Sequence, residues 1–271
     1  MAANNALARL KWVDSHCHFD FDAFRLHRSQ HWQLAQSLGL SGLIIPGIHL
    51  HQSAQLPAFC AATAWHYAQG LHPYFLAQHQ SADIARLAEL LQRDKAIAVG
   101  EIGLDWTLAR QTADEHAARQ QQWWYFTEQA TLAEQQKLPL ILHIRGAHDE
   151  AASWLRRQRF SQGGIVHAFS GSVQQGQRWL ELGFKLGIGG AMTFPRAQKL
   201  RRTLQQLPLH SWLLESDAPD MRPSFFNAGI NSPVAVPLYG HILAALTGTE
   251  VEEVAAANLR SLTQIFPTAV F

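Results

Sequence analysis

Cysteine is scarce in this chain: Cys17 and Cys60 are the only two in 271 residues. One disulfide is arithmetically possible, but a chain this long does not need one, and no cysteine framework is present. Long apolar runs are also missing. No stretch of about 18 apolar residues occurs, so no membrane span is expected. The segment Met1-Ala2-Ala3-Asn4-Asn5 lacks a basic region followed by an apolar one. No secretory signal is therefore expected, and the expected location is cytoplasmic. Charge of one sign is lacking as well, with 22 Lys+Arg against 21 Asp+Glu and a net charge of +1. That balance excludes a broad basic surface that holds nucleic acid by bulk electrostatics. It leaves room for an enzyme that grips a strand end through a few local cations.

Apolar residues, by contrast, make up 47% of the chain and charged ones only 16%, enough for a large core. Short apolar runs recur between longer helical stretches. They are Trp12-Val13, Gly42-Leu43-Ile44-Ile45-Pro46, Tyr67-Ala68-Gln69-Gly70-Leu71, Ile97-Ala98-Val99-Gly100, Leu140-Ile141-Leu142, Gly164-Ile165-Val166, Phe184-Lys185-Leu186-Gly187-Ile188 and Trp212-Leu213-Leu214. Their lack of alternation suits buried parallel strands. Residues 82–91, 120–136 and 251–265 read as amphipathic helices, the second with Trp124, Phe126, Ala130 and Leu132 on its apolar face. Eight such strands with intervening helices and no linker predict an α/β fold, a single (β/α)8 TIM barrel spanning residues 1–271. A doubly wound open sheet is the alternative.

The 15 histidines call for an explanation, and the strand ends offer one. His16-Cys17-His18 follows the first run, and residues i and i+2 of a strand point to the same side. Alone, a His-x-His pair is a weak metal signal. Later runs lead into Glu101 and Asp105, His143 and Arg145, His167, and Asp217. From His18 to Asp217 the spacing is about 28 residues per βα unit, near the roughly 30 of a barrel repeat. Carboxyl ends of barrel strands share one face, where active sites of this fold lie. Each residue also has a plainer reading: Glu101 or Asp105 as a helix N-terminal acid, His143 and His167 as core histidines, Asp217 as a turn former. Six nitrogen and oxygen donors without a thiolate suit one or two divalent ions, Zn, Mn or Mg. Glu101, central in strand order, is the natural bridge between two ions, and Asp217 the general base that accepts a proton from attacking water. Cys17, on the opposite strand side from the histidines, is expected to be structural.

These segments together resemble the TatD family of metal-dependent deoxyribonucleases and hydrolases. The resemblance rests on Asp14-Ser15-His16-Cys17-His18-Phe19-Asp20, Gly100-Glu101-Ile102-Gly103-Leu104-Asp105, His143-Ile144-Arg145-Gly146-Ala147, Val166-His167-Ala168-Phe169-Ser170-Gly171 and Glu215-Ser216-Asp217-Ala218-Pro219. Pro195-Arg196-Ala197 and residues 217–221 resemble the YjjV branch of that family. The resemblance implies one ion held by His16, His18, Glu101 and Asp217, and a second by Glu101, His143 and His167. It makes His72, in Gly70-Leu71-His72-Pro73, a candidate substrate contact, although a capping or core role fits too. Arg145 is placed to neutralise a phosphate, or to form a salt bridge behind the donors. Residues 221–230, with Phe225-Phe226, depart from the family pattern, and Asn258-Leu259-Arg260-Ser261-Leu262-Thr263 keeps it only loosely.

Three functions remain open on the sequence. The first is a metal-dependent 3'-end exonuclease acting transiently on single-stranded DNA or another phosphodiester, with no obligate protein partner and no membrane. The second keeps the ions and cuts an amide, lactone or ester, D-aminoacyl-tRNA included. The third is a binding barrel without turnover. Arg145, Lys185 and Arg196 are candidate phosphate cations, and Trp106, Phe225 and Phe226 are candidate base-stacking aromatics.

Overall fold

Buried on both faces, the short apolar runs become strands, and the polar stretches between them become helices. A computed structural model describes residues 10–63 and 65–271. In chain order these are β1 (Trp12–Asp14), α1 (Arg28–Ser37), β2 (Leu40–Ile45), α2 (Leu50–Cys60), β3 (Trp65–Gln69), α3 (Asp83–Arg93), β4 (Ala98–Asp105) and α4 (Trp106–Ala109). Then follow α5 (Glu115–Gln136), β5 (Leu140–Arg145), α6 (His148–Arg157), β6 (Gly164–His167), α7 (Val173–Glu181), β7 (Phe184–Ile188), α8 (Gln198–Gln206), β8 (Trp212–Leu214), α9 (Val236–Thr247) and α10 (Val251–Ile265). Strand order in the sheet follows chain order from β1 to β8. The pairs β1–β2, β3–β4, β4–β5, β5–β6 and β7–β8 are parallel. A doubly wound sheet reverses its order at a switch point. This one does not, so the architecture is (β/α)8.

By their internal contacts the residues group into two compact units. The first comprises the chain up to Ile45, Ala168–Gly176 and Lys185–Phe271, and the second Pro46–His167 and Gln177–Phe184. The first packs Trp12, Val13, Leu43, Ile44, Leu186, Leu213 and Leu214 out of solvent. In the second, Ala98, Val99, Ile102, Leu104, Ile141, Leu142, Ile165 and Val166 are out of solvent, as are Phe126, Ala130 and Ala133 of α5.

Three elements differ from the sequence expectation. β3 stops at Gln69, because the backbone of Leu71 is taken by the Gln129 side chain, which accepts from its N–H at 2.7 Å and donates to its carbonyl at 3.1 Å. β4 continues through Asp105, so Glu101 and Asp105 lie within the strand. Gly100 pairs with Ile141 and Ile102 with Leu142, which leaves Glu101 as the extra residue of a bulge. α5 starts at Glu115, where the Asp114 carboxylate accepts from the Ala117 N–H at 2.9 Å. Its buried stripe is Gln122, Tyr125, Phe126, Gln129, Ala130 and Ala133, while Trp124 is exposed. No single described helix is long and apolar enough to cross a membrane.

Candidate functional site

In the second unit, the bulge in β4 aims the buried Glu101 at three imidazoles. Its Oε1 lies 3.0 Å from His72 Nε2, 3.2 Å from His143 Nδ1 and 3.0 Å from His167 Nε2. One donor atom each from His72, Glu101 and His143 falls within 4.8 Å of the others. Residues 143 and 167 are register partners on β5 and β6, which brings His143 Nδ1 to 3.1 Å from His167 Nε2. Asp105 orients this group. Its Oδ2 is 3.1 Å from His143 Nε2, so a proton held there leaves Nδ1 as an electron-pair donor. Its Oδ1 accepts from the N–H groups of Thr107 and Leu108 and caps α4. Burial would raise the Asp105 pKa, but the hydrogen bonds from His143 and Leu108 win and hold it at about 2. For His143 burial works to lower the pKa, and the hydrogen bonds to Asp105 and Glu101 overcome it and raise it. Gly103 permits the close approach of β4 and β5, since a Cβ there would lie 1.8 Å from the His143 carbonyl oxygen.

In the first unit, the segment after β1 is sewn to its neighbours through the backbone. Ser15 N–H donates to Leu214, Cys17 to Ile44, His18 to Ala218, and Asp217 to His16. His16 and His18 therefore share a side, their rings edge-on at 5.2 Å, while the Cys17 Sγ lies 3.8 Å from the Ala218 carbonyl. Both cysteines are buried, and neither forms a disulfide among the described residues. Asp217 has a left-handed φ of 53°, a conformation Asp tolerates better than most residues, and its Oδ1 stands 3.5 Å from His16 Nε2 and 3.7 Å from His18 Nε2. Behind it, Asp14 accepts from the backbone and hydroxyl of Ser216 and from the His16 N–H. Burial pushes the Asp14 carboxyl up to about 8 even against these bonds. Glu215 Oε1 accepts from Ala168 N–H at 2.6 Å, and Gly187 makes room for it: a Cβ there would meet Glu215 Oε2 at 2.0 Å.

Imidazole nitrogen and carboxylate oxygen without thiolate form a donor set for divalent cations. Donor atoms each about 2.0–2.2 Å from one ion stand roughly 3–3.7 Å apart. The spacings of 3.0–3.2 Å around Glu101 and 3.5–3.7 Å around Asp217 fall in that range.

Other candidates from the sequence fall into place. His72 does two things: its Nδ1 accepts from the Tyr74 N–H at 2.9 Å as a helix cap, and its Nε2 faces Glu101. Arg145, mostly exposed, has a guanidinium nitrogen 3.6 Å from Asp105 Oδ2, which is the salt-bridge alternative. Trp106 is buried, with its indole N–H donated to Glu150, and so offers no open face for a base. Phe225 is partly exposed and packs edge-on against Phe226 at 5.2 Å. Lys185 is partly buried, which lowers its pKa, and Arg196 lies over the Phe194 ring at 4.9 Å. Sequence reasoning missed Gln122, whose amide accepts from the Asp105 N–H at 2.7 Å and donates to its carbonyl at 3.2 Å. It missed Glu215 as well, though a second acid beside Ser216-Asp217 was the available signal.

Residues 13–267 match the family of TatD related DNases. An Escherichia coli K12 relative named uncharacterized metal-dependent hydrolase YjjV is 38% identical, over 94% of this chain and 98% of its own length. The crystal structure of E. coli YjjV superposes with a TM-score of 0.88 at 37% identity, over 95% of this chain and 98% of that one. A Rahnella protein named 3'-5' ssDNA/RNA exonuclease TatD is 34% identical over 74% of this chain and 75% of itself. The superposition agrees with the TIM-barrel class that the strand order indicates. Because the match runs from β1 to the end of α10, through both donor groups, the chain belongs to the TatD-related DNase family and is a metal-dependent hydrolase.

Proposed function

We propose that this hydrolase is a nuclease that trims single-stranded DNA from its 3' end. The observation that carries the proposal is the buried Glu101 carboxylate with three imidazole nitrogens within 3.2 Å, one of them tautomer-fixed by Asp105. His16, His18, Glu101, His143, His167 and Asp217 would serve as donors to two divalent ions (Zn, Mn or Mg), with Glu101 shared as the family resemblance implies. Bound ions supply Lewis acidity toward a phosphoryl oxygen and lower the pKa of water. Asp217 takes the proton of the attacking water on its carboxylate. Water oxygen bonds to phosphorus, the bond from phosphorus to the 3' oxygen breaks, and the proton taken up by Asp217 returns through solvent to that oxygen, which becomes the new 3' hydroxyl. Asp105 keeps the His143 Nδ1 electron pair presented throughout. Arg145 and His72 are the residues we assign to substrate contact, and one domain carries the reaction.

The test is the purified protein on single-stranded DNA labelled at either end, with Mg²⁺, Mn²⁺ or Zn²⁺ added. A 5' label is expected to shorten stepwise, while a 3' label appears at once as mononucleotide. Failure to cut DNA with any of these ions, together with turnover of a small ester or aminoacyl-tRNA, would replace the nuclease reading with the ester or amide one.

A further inference from the structure

We propose that Asn231 is a positioning residue for hydrolysis: its side-chain amide holds the peptide that aims the Asp217 carboxylate at His16 and His18. The use of that carboxylate in catalysis rests on the reading above, whereas the hold on the peptide does not. All the residues concerned lie in the first unit. Asn231 stands 15 residues beyond Ser216, past the loop that follows β8, and both residues are fully buried. Its Nδ2 donates to the Ser216 carbonyl at 2.6 Å, with a longer contact to the Met221 carbonyl at 3.4 Å. Its own N–H donates to the Pro219 carbonyl at 2.9 Å. Its Oδ1 accepts from the Ser232 N–H at 2.8 Å, so the partners decide which end of the amide is the donor.

The peptide between Ser216 and Asp217 matters because its orientation fixes φ at Asp217. A non-glycine residue keeps a value of 53° only where its surroundings over-determine it. That peptide is gripped at both ends: the Asp217 N–H donates to the His16 carbonyl at 2.9 Å, and the Ser216 carbonyl accepts from Asn231. Its neighbours are gripped too. The Ser216 N–H and hydroxyl both donate to Asp14, the Ala218 N–H donates to Ser216 Oγ at 3.1 Å, and the Ala218 carbonyl accepts from the His18 N–H at 2.9 Å. Of these bonds, the one from Asn231 alone comes from outside the two strand-end segments, residues 14–18 and 214–220. β8 does not depend on it, because Leu214 pairs with Ile188 and the Glu215 N–H donates to the Ile188 carbonyl. Loss of the Asn231 donor therefore leaves the strand paired but strips a buried carbonyl of that bond, and such a group turns toward another donor. The turn carries the Asp217 side chain away from imidazole nitrogens now at 3.5 and 3.7 Å. A displacement of about 1 Å at a reacting group costs on the order of 10²-fold in rate, which is how a residue that acts through the backbone shows itself in kcat.

The test combines crystal structures of metal-free variants with hydrolysis of single-stranded octathymidylate by the full-length, Mn²⁺-loaded protein. Asn231→Asp keeps the size of the side chain and replaces the donor by an acceptor. The Asp217 carboxylate is expected to withdraw from His16 and His18 by about 1 Å or more, and kcat to fall about 10–100-fold with KM within about threefold. Asn231→Ala removes the same donor without burying a charge and is expected to give the same result, so it decides the matter where the first variant does not fold. In an Asp217→Asn background either substitution is expected to change the residual rate by less than about twofold, since both act through one carboxylate. Ser224→Ala removes a bond of the same loop, from its hydroxyl to the Thr193 carbonyl at 3.0 Å. It is the control for general loosening and is expected to leave kcat within about twofold. Unchanged Asp217 geometry would overturn the proposal, as would wild-type kcat in the Asn231 variants, or an equal loss in Ser224→Ala or in the Asp217→Asn background. Failure of the wild type to cut octathymidylate would remove the nuclease reading alone, because the Asp217 geometry is read without turnover.

Discussion

The two donor groups are built differently. Around Glu101 the side chains are already drawn into contact: three imidazole nitrogens, from His72, His143 and His167, sit at 3.0–3.2 Å, and Asp105 decides which nitrogen of His143 carries the proton. Around Asp217 the donors stand at 3.5 and 3.7 Å, beyond the range of good direct hydrogen bonds, on a carboxylate held by a left-handed turn. The first group is oriented by side chains, the second by backbone bonds from neighbouring strand ends. A buried, side-chain-locked carboxylate suits permanent ligation. A more accessible carboxylate on a turn suits a group that also takes up and gives back a proton.

Substitution of the two carboxylates tests that contrast most sharply and gives the largest effects. Asp217→Asn keeps a residue that tolerates a positive φ, so its melting temperature is expected to stay near wild type while kcat falls by ~10²–10⁴. Glu101→Gln is expected to lower both activity and metal content. Equal losses of metal in the two variants would erase the distinction between them. Next in size is Gly187→Ala. Its Cβ would strike Glu215 at 2.0 Å, and overpacking of this kind costs about 1–3 kcal/mol, readable as a lower denaturant midpoint. An unchanged midpoint would show that Glu215 is not locked behind the Asp217 group. Asp105→Asn removes the carboxylate partner of His143 and is expected to weaken metal affinity by about 10–100-fold with the fold intact, measured by competition with a chelating dye.

A pH response in the second unit centres on His148. His148 is buried, and its Nδ1 accepts from the Trp179 indole at 3.2 Å. Burial lowers its pKa from 6.5 to about 4. The unfolded chain therefore takes up a proton below pH 6.5 that the folded one refuses, so this stabilisation is complete above pH 6.5 and lost as pH falls toward 4. At pH 5 the loss is about 2 kcal/mol. His148→Gln, which keeps a hydrogen-bond acceptor but does not titrate, is expected to flatten that part of the stability profile. A profile identical to wild type would assign the acid sensitivity elsewhere.

The strands and the positions of five side chains gathered around Glu101 and Asp217 were legible because apolar runs and their polar ends follow directly from burial. His16 and His18 declare themselves by their spacing, and His143, His167 and Asp217 by closing apolar runs. Glu101 was legible as a residue but not in its placement, since the bulge that aims it leaves no periodic trace. The apolar face of α5 was misread at Trp124 because two of its buried positions are glutamines, Gln122 and Gln129. Their burial is compensated by hydrogen bonds to the backbone of Asp105 and Leu71, partners 17 and 58 residues away. A hydrophobic pattern cannot register polar groups satisfied at such distances. For the same reason Asp105 read as a helix cap or a ligand, and its joint role as cap and His143 orienter required the fold.

The role of Glu101 is tested most directly by the number of divalent ions bound per chain, measured by elemental analysis on wild type and on Glu101→Gln alongside hydrolysis of end-labelled single-stranded DNA. Up to two ions and cutting are expected in the wild type, and at most one ion with cutting abolished in the variant. Full metal content and full activity in Glu101→Gln would contradict it.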